Sequence, residues 1–191
     1  MKKEIDITLK GISDIMFDRF YDHSKEDRPP EKKLYLDEKG VAVLPNENVY
    51  SFLFRETRPT GIIKKVEGKP AKDFIDIGQA HIAINPTLIP FLDDKDKPIK
   101  FKGFNNGSGF YINDWSAPVT VGSGKAIKQE IRLRPVLALP WQLKFNIVLF
   151  DNNKVTPDKL ESWFEQGGIV TALGSYRPRH GRFQVVEFDV K

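Results

Sequence analysis

The chain contains no cysteine at all. Disulfides, thiol nucleophiles and cysteine-ligated zinc are therefore excluded, and the composition suits a reducing compartment. No run of residues approaches the ~20 apolar positions that a membrane span requires. The opening Met1-Lys2-Lys3-Glu4-Ile5-Asp6 leads into alternation rather than into the apolar stretch of a signal peptide. The expectation is a cytoplasmic protein with no membrane partner. The recognisable catalytic motifs are missing too: there is no Walker loop, dinucleotide fingerprint, His-Glu-x-x-His or Gly-x-Ser-x-Gly. Gly122-Ser123-Gly124-Lys125 looks like a fragment of a phosphate loop, but the upstream glycine and the following helix start are absent. Metal binding needs clustered ligands, and the nearest approach, Asp93-Asp94-x-Asp96, is interleaved with Lys95 and Lys97 and reads as a solvated turn. No cofactor and no metal are expected.

What is present is enough apolar material for a real core. Of 191 residues, 40% are hydrophobic and 12% aromatic, which fits one domain spanning 1–191 and not a disordered chain. The net charge of +4 is modest, but it is unevenly placed. Residues 1–124 hold 19 basic and 19 acidic side chains, whereas residues 125–191 hold 11 and 7. Five of the nine arginines also lie in that last third. Such a local cluster is the footprint of a phosphate-binding surface, or else of a solvated face balanced by acids elsewhere in space.

Periodicity places the elements. Glu4 to Lys10 alternates as a half-buried strand, with Ile5, Ile7 and Leu9 on one side. The polar run from Asp22 to Pro30 reads as a loop. Leu34–Leu36 and Val41–Leu44 flank Asp37-Glu38-Lys39-Gly40, a hairpin with glycine at the turn exit. Pro45-Asn46 opens a helix with Val49, Phe52 and Leu53 on one face, and a second short helix is expected over Ala71–Ile77, followed by a strand at His81–Asn85. Residues 93–125, rich in Asp, Lys, Gly, Asn and Ser, read as a long irregular, flexible insertion carrying Phe104, Phe110, Tyr111 and Trp115.

The C-terminal third is the most legible. Ile131–Arg134 alternates, and Gln142–Phe150 does so more fully. Thr156-Pro157 is a helix start, Gly167-Gly168 lets that helix approach a sheet closely, and Phe183–Val190 is a last strand. This strand–helix–strand is half of a ferredoxin-like unit, and the N-terminal strand with the helix at Asn46 could supply the rest. The expected fold is thus α+β: a ferredoxin-like (RRM/RAMP-like) antiparallel sheet with helices on one face and an inserted irregular segment.

Between that helix and the last strand runs Leu173-Gly174-Ser175-Tyr176-Arg177-Pro178-Arg179-His180-Gly181-Arg182-Phe183. Gly174 and Gly181 bracket a loop able to reach conformations other residues avoid. Arg177, Arg179 and Arg182 suit bidentate phosphate contacts, while Tyr176 and Phe183 can stack on bases. His180 sits among them and is read as a phosphate contact. Arg132 and Arg134, two apart on a strand, share a face and with Lys144 would extend the basic track. Basic and aromatic residues interleaved on a glycine-bounded loop are what single-stranded nucleic-acid binding needs.

This loop, placed after the last helix and before the last strand, resembles that of the RAMP superfamily, which includes CRISPR-associated backbone subunits that polymerise along guide RNA. Through Leu34-Tyr35-Leu36-Asp37, Leu44-Pro45-Asn46-Glu47-Asn48 and Leu173 to Phe183 the chain also resembles small phage and prophage proteins of unassigned function. Classical RAMP loops carry more glycine than the pair Gly174 and Gly181. The resemblance implies a ferredoxin-like core, a thumb-like insertion and side-by-side assembly of copies on a strand. The leading expectation is a non-catalytic protein that binds single-stranded RNA or DNA as a homo-oligomer. Two alternatives stand beside it. In RAMP-type endoribonucleases a histidine near the first strand acts as acid or base, which would make His23 with Lys25 the catalytic candidates of a metal-independent nuclease. The other is a phage structural or interaction protein whose basic loop faces a protein partner. His81, in an apolar strand, reads as a satisfied core or sheet-face residue.

Overall fold

The computed structural model describes residues 2–19, 29–113 and 133–191 in full, and residues 119–121 and 128–130 as backbone. It is an α+β fold built on a mostly antiparallel sheet. Strand β1 (Lys2–Gly11) lies between the edge strand β11 (Phe183–Val190) and the central β10 (Gln142–Phe150). On its far side β10 pairs with β4 (Ile82–Asn85) and, near its start, with β5 (Leu88–Leu92), which pairs in turn with the short β3 (Val43–Pro45). Every one of these pairings is antiparallel.

Alternation decides which face is buried. Ile5, Ile7 and Leu9 of β1 and Leu143, Phe145, Ile147 and Leu149 of β10 are buried, as period-two patterning requires. Helices α1 (Asn46–Phe54), α2 (Ile62–Val66), α3 (Ala71–His81) and α4 (Pro157–Val170) supply the other side of the core. Phe52 of α1 is the meeting point. Its ring stacks on Phe164 of α4 at 5.3 Å between centroids and tilts against Phe183 of β11 at 5.5 Å. Thr156 starts α4 by accepting a hydrogen bond from the Lys159 amide, with Pro157 at the first helical position.

Two glycines set how deep α4 sinks. A Cβ on Gly167 would overlap the Phe52 ring, and one on Gly168 would overlap the Phe183 carbonyl oxygen. The helix thus lies backbone-to-backbone against the start of β11, at the cost of helix propensity that glycine carries.

The hairpin read at Asp37–Gly40 is present: Leu36 bridges Ala42, Gly40 adopts φ of 73°, and the Asp37 carboxylate accepts the Lys39 and Val41 amides. The second helix runs four residues beyond the predicted Ile77, to His81, and the strand after it begins at Ile82. His81 closes that helix with its ring on the Ile77 carbonyl, 2.9 Å away. The segment 93–125 holds more order than its composition suggests. Within it β6 (Phe110–Asn113) pairs with β9 (Arg134–Leu137), which also pairs with β2 (Ile15–Met16), and β7 (Val119–Val121) pairs with β8 (Lys128–Glu130). Phe101, Phe104 and Phe110 form edge-on ring contacts at 5.0 and 5.3 Å, which tack this segment onto the core. Trp115 lies outside the described residues. The strand expected at Ile131–Arg134 instead starts at Arg134, and Ile131 and Arg132 lie outside the described residues. Among the described residues no helix is long and apolar enough to cross a membrane.

Candidate nucleic-acid interface

The loop from Leu173 to Phe183 is closed at its base and held against the segment that follows β1. Leu173 donates its amide to the Gly181 carbonyl (3.0 Å), so the loop's two ends are tied together. Ser175 donates to Met16 O (2.8 Å), Gly181 to Asp14 O (2.8 Å), and Arg182 to Ser13 Oγ (2.9 Å), while Ile12 donates back to Arg182 O (2.9 Å). Gly174 and Gly181 sit at φ of 73° and 74°, in the left-handed region. A Cβ on Gly174 would come within 2.6 Å of Met16 O, and one on Gly181 would overlap Leu173 O. Both glycines are required by contact as well as by conformation. Their role is to shape the loop.

The result is a small fixed platform. Tyr176, itself at φ of 56°, is 41% exposed, and its ring lies 6.2 Å from that of His180. Arg179 and Arg182 are exposed, and neither has an ion-pair partner among the described residues. Burial holds His180 below the ordinary imidazole range; Asp14 pulls the other way and Arg179 adds to the depression. Asp14 anchors this corner. Its carboxylate accepts the Tyr111 hydroxyl (2.7 Å) and the Leu139 amide (3.0 Å), and the Tyr111 phenol is pushed well above its ordinary range by burial and by that hydrogen bond.

Arg177 turns back from the platform, half-buried, with Nη1 3.4 Å from Ala172 O beyond the end of α4. Burial, and then the neighbouring Arg55 guanidinium, lower its pKa from the usual value. Lys65 of α2 donates to Val170 O (2.8 Å) at the same helix end, and its pKa is lowered by burial and by Arg177. Arg55, Lys65 and Arg177 have no ion-pair partner among the described residues. Sequence reading singled out Arg177 but neither of the other two. Arg55 is more than a hundred residues away along the chain, and only the packing of α2 on α4 brings them together.

Three expectations are corrected. Phe183 offers no face to a base: it is fully buried, against Phe52 and under Gly168. Arg134 is buried and its Nε donates to Asp18 Oδ2 at 2.9 Å, so its charge is used internally. Lys144 projects from the open face of the sheet, where it pairs with Asp96 at 2.9 Å. It lines a shallow groove of about 570 Å³ with Asp6, Thr8, Asn85, Asn146 and Glu187, a balanced and not a basic surface. Arg132, His23 and Lys25 lie outside the described residues. The acidic turn Asp93–Asp96 is stabilised by its own carboxylate, since Asp93 Oδ1 accepts the Lys95 and Lys97 amides at 2.8 Å.

Compared with known proteins, the chain matches no family model and no curated relative.

Proposed function

We propose that this protein binds single-stranded nucleic acid, RNA in preference to DNA, through the Leu173–Phe183 loop, without catalysing its cleavage. One observation carries the reading. A loop fixed at both ends by glycines carries Arg179, Arg182 and Tyr176, all exposed, with no carboxylate paired to either arginine among the described residues. Holding like charges on a rigid loop is unfavourable unless an anion offsets them, and arginine heads beside an aromatic ring match phosphates and bases together.

The sheet supports the same reading. We take it as ferredoxin-like: β11-β1-β10-β4 is the order expected of two interleaved strand–helix–strand units, and both β10 and β11 lie antiparallel to β1. The likeness to RAMP backbone subunits and to phage proteins belongs to this proposal, as does assembly of copies side by side along the strand.

The test is fluorescence anisotropy with labelled 30-nucleotide RNA and DNA across a salt series. The triple variant Arg177/Arg179/Arg182→Ala is expected to lose most binding at low salt. Any residual binding should show a log–log salt dependence shallower by about 2, given a slope near 0.7 per phosphate on single strands. If wild-type protein binds neither strand at low salt, the reading fails.

A further inference from the structure

The corner where α4 ends gathers its charge from three separate parts of the chain. Arg55 is the extended residue that follows α1, and its carbonyl accepts the amide of Gly61, just before α2. A Cβ on Gly61 would come within 2.7 Å of Arg55 N, so the connection from α1 to α2 is folded tightly on itself. Helix α2 packs on α4, where the Cβ position of Gly167 lies 3.1 Å from Ile62 Cγ1. That packing sets Lys65 on Val170 O, two residues from the carbonyl that receives Arg177. Between those carbonyls lies Thr171, 1% exposed, whose hydroxyl has no hydrogen-bond partner among the described residues.

The carbonyls and the negative end of the α4 dipole explain how two cationic heads can settle there. They do not neutralise three. Each head has spent little of its hydrogen-bonding capacity, since an ammonium carries three donors and a guanidinium five. A compact group with more than one negative charge fits this arrangement better than one phosphodiester does. A phosphate monoester carries about −1.5 to −2 at neutral pH, against −1 for an internal linkage.

We propose that Arg55, Lys65 and Arg177 form a binding site for the terminal phosphate monoester of a nucleic-acid strand whose body lies on the loop platform. The proposal rests on the nucleic-acid reading above and adds an end preference to it. Loop-tip arginines would follow the strand, and this corner would hold its end.

The test compares labelled 30-mers of one sequence carrying a 5′-phosphate, a 3′-phosphate or hydroxyls at both ends, by anisotropy at fixed salt. Wild-type protein should bind one phosphorylated strand about 10-fold more tightly than the hydroxyl strand, the scale of one well-placed charge-assisted contact set. In the double variant Arg55→Ala/Lys65→Ala, with its fold checked by thermal melting, that preference should vanish. In Arg179→Ala all three strands should weaken together and the preference should persist. Equal binding of all three strands by wild-type protein overturns the end site and leaves the nucleic-acid reading standing. Failure to bind any strand removes both. If an equimolar mononucleotide displaces the phosphorylated strand, the corner is a free-nucleotide site and the strand-end proposal is overturned.

Discussion

The open face of the sheet and the corner around α4's C-terminus are both polar, yet they treat charge in opposite ways. On the sheet, Asp6 is held by Asn146 and Lys191, Thr8 donates to Glu187 at 2.6 Å, and Lys144 pairs with Asp96. The hydrogen bonds from Lys191 and then Asn146 keep the Asp6 carboxyl below its usual range. Around α4, Arg55, Lys65, Arg177, Arg179 and Arg182 have no carboxylate among the described residues. Exposed ion pairs of the first kind contribute little to stability, and they leave no net field for a ligand. Cations of the second kind cost stability through mutual repulsion and keep their donors available. Charge that is satisfied within the fold is structural, and charge left unsatisfied on a rigid frame is available for a partner.

That contrast can be broken or sharpened by experiment. The largest effect is expected for Phe183→Ala, which empties the space under Phe52 and Gly168. It should cost about 3–5 kcal/mol in denaturant unfolding, as for other large aromatic truncations in a core. Gly181→Ala comes next, since the added carbon strikes Leu173 O in a backbone region that alanine disfavours. A loss of about 2–4 kcal/mol is expected, together with weaker oligonucleotide binding because the platform loses its shape. Lys144→Ala should leave oligonucleotide affinity within about twofold in the anisotropy assay; a larger drop would mean that the sheet face joins the interface. The smallest effect is a pH dependence at His180. Its folded pKa lies below the unfolded value of about 6.5, so the unfolded state takes up the proton first. Stability should therefore fall as pH drops through that value, and the fall should be shallower in His180→Gln when melting is followed from pH 7.5 to 5.5.

Much of the frame was legible because it is local. The β10 strand and the α4 start carry their signals within ten residues, as alternation at Leu143–Leu149 and as Thr156-Pro157. The glycine pair at 167–168 announced a close approach, though not that Phe52 and Phe183 would be what it approached. Short elements escaped: α2 has five residues and β5 five, too few for a period to register against loop-like neighbours. The loop's residue types drew attention to Leu173–Phe183, but residue type does not say which way a side chain faces. Phe183 begins β11 on its inward phase, whereas all four residues of β9, Arg134 included, are buried. Arg55 and Lys65 had no signal at all, because their meeting with Arg177 is a product of helix packing.

The placement of β1 has a consequence for how the chain acquires this structure. Its two neighbours in the sheet are β10 and β11, some 130 to 185 residues further along, and the backbone groups of Glu4 and Lys191 exchange hydrogen bonds. The strand between β10 and β11 thus depends on partners that lie most of the sequence away from it. Pairings of such high sequence separation close slowly, because the loop entropy is lost before the contacts reward it. Until Phe183–Val190 is in place, the edge of β1 that faces β11 stays unpaired, and the arginine loop lacks its anchor at the start of that strand. The arginine loop is consequently a late product of folding, formed only when β1 and β11 lie side by side.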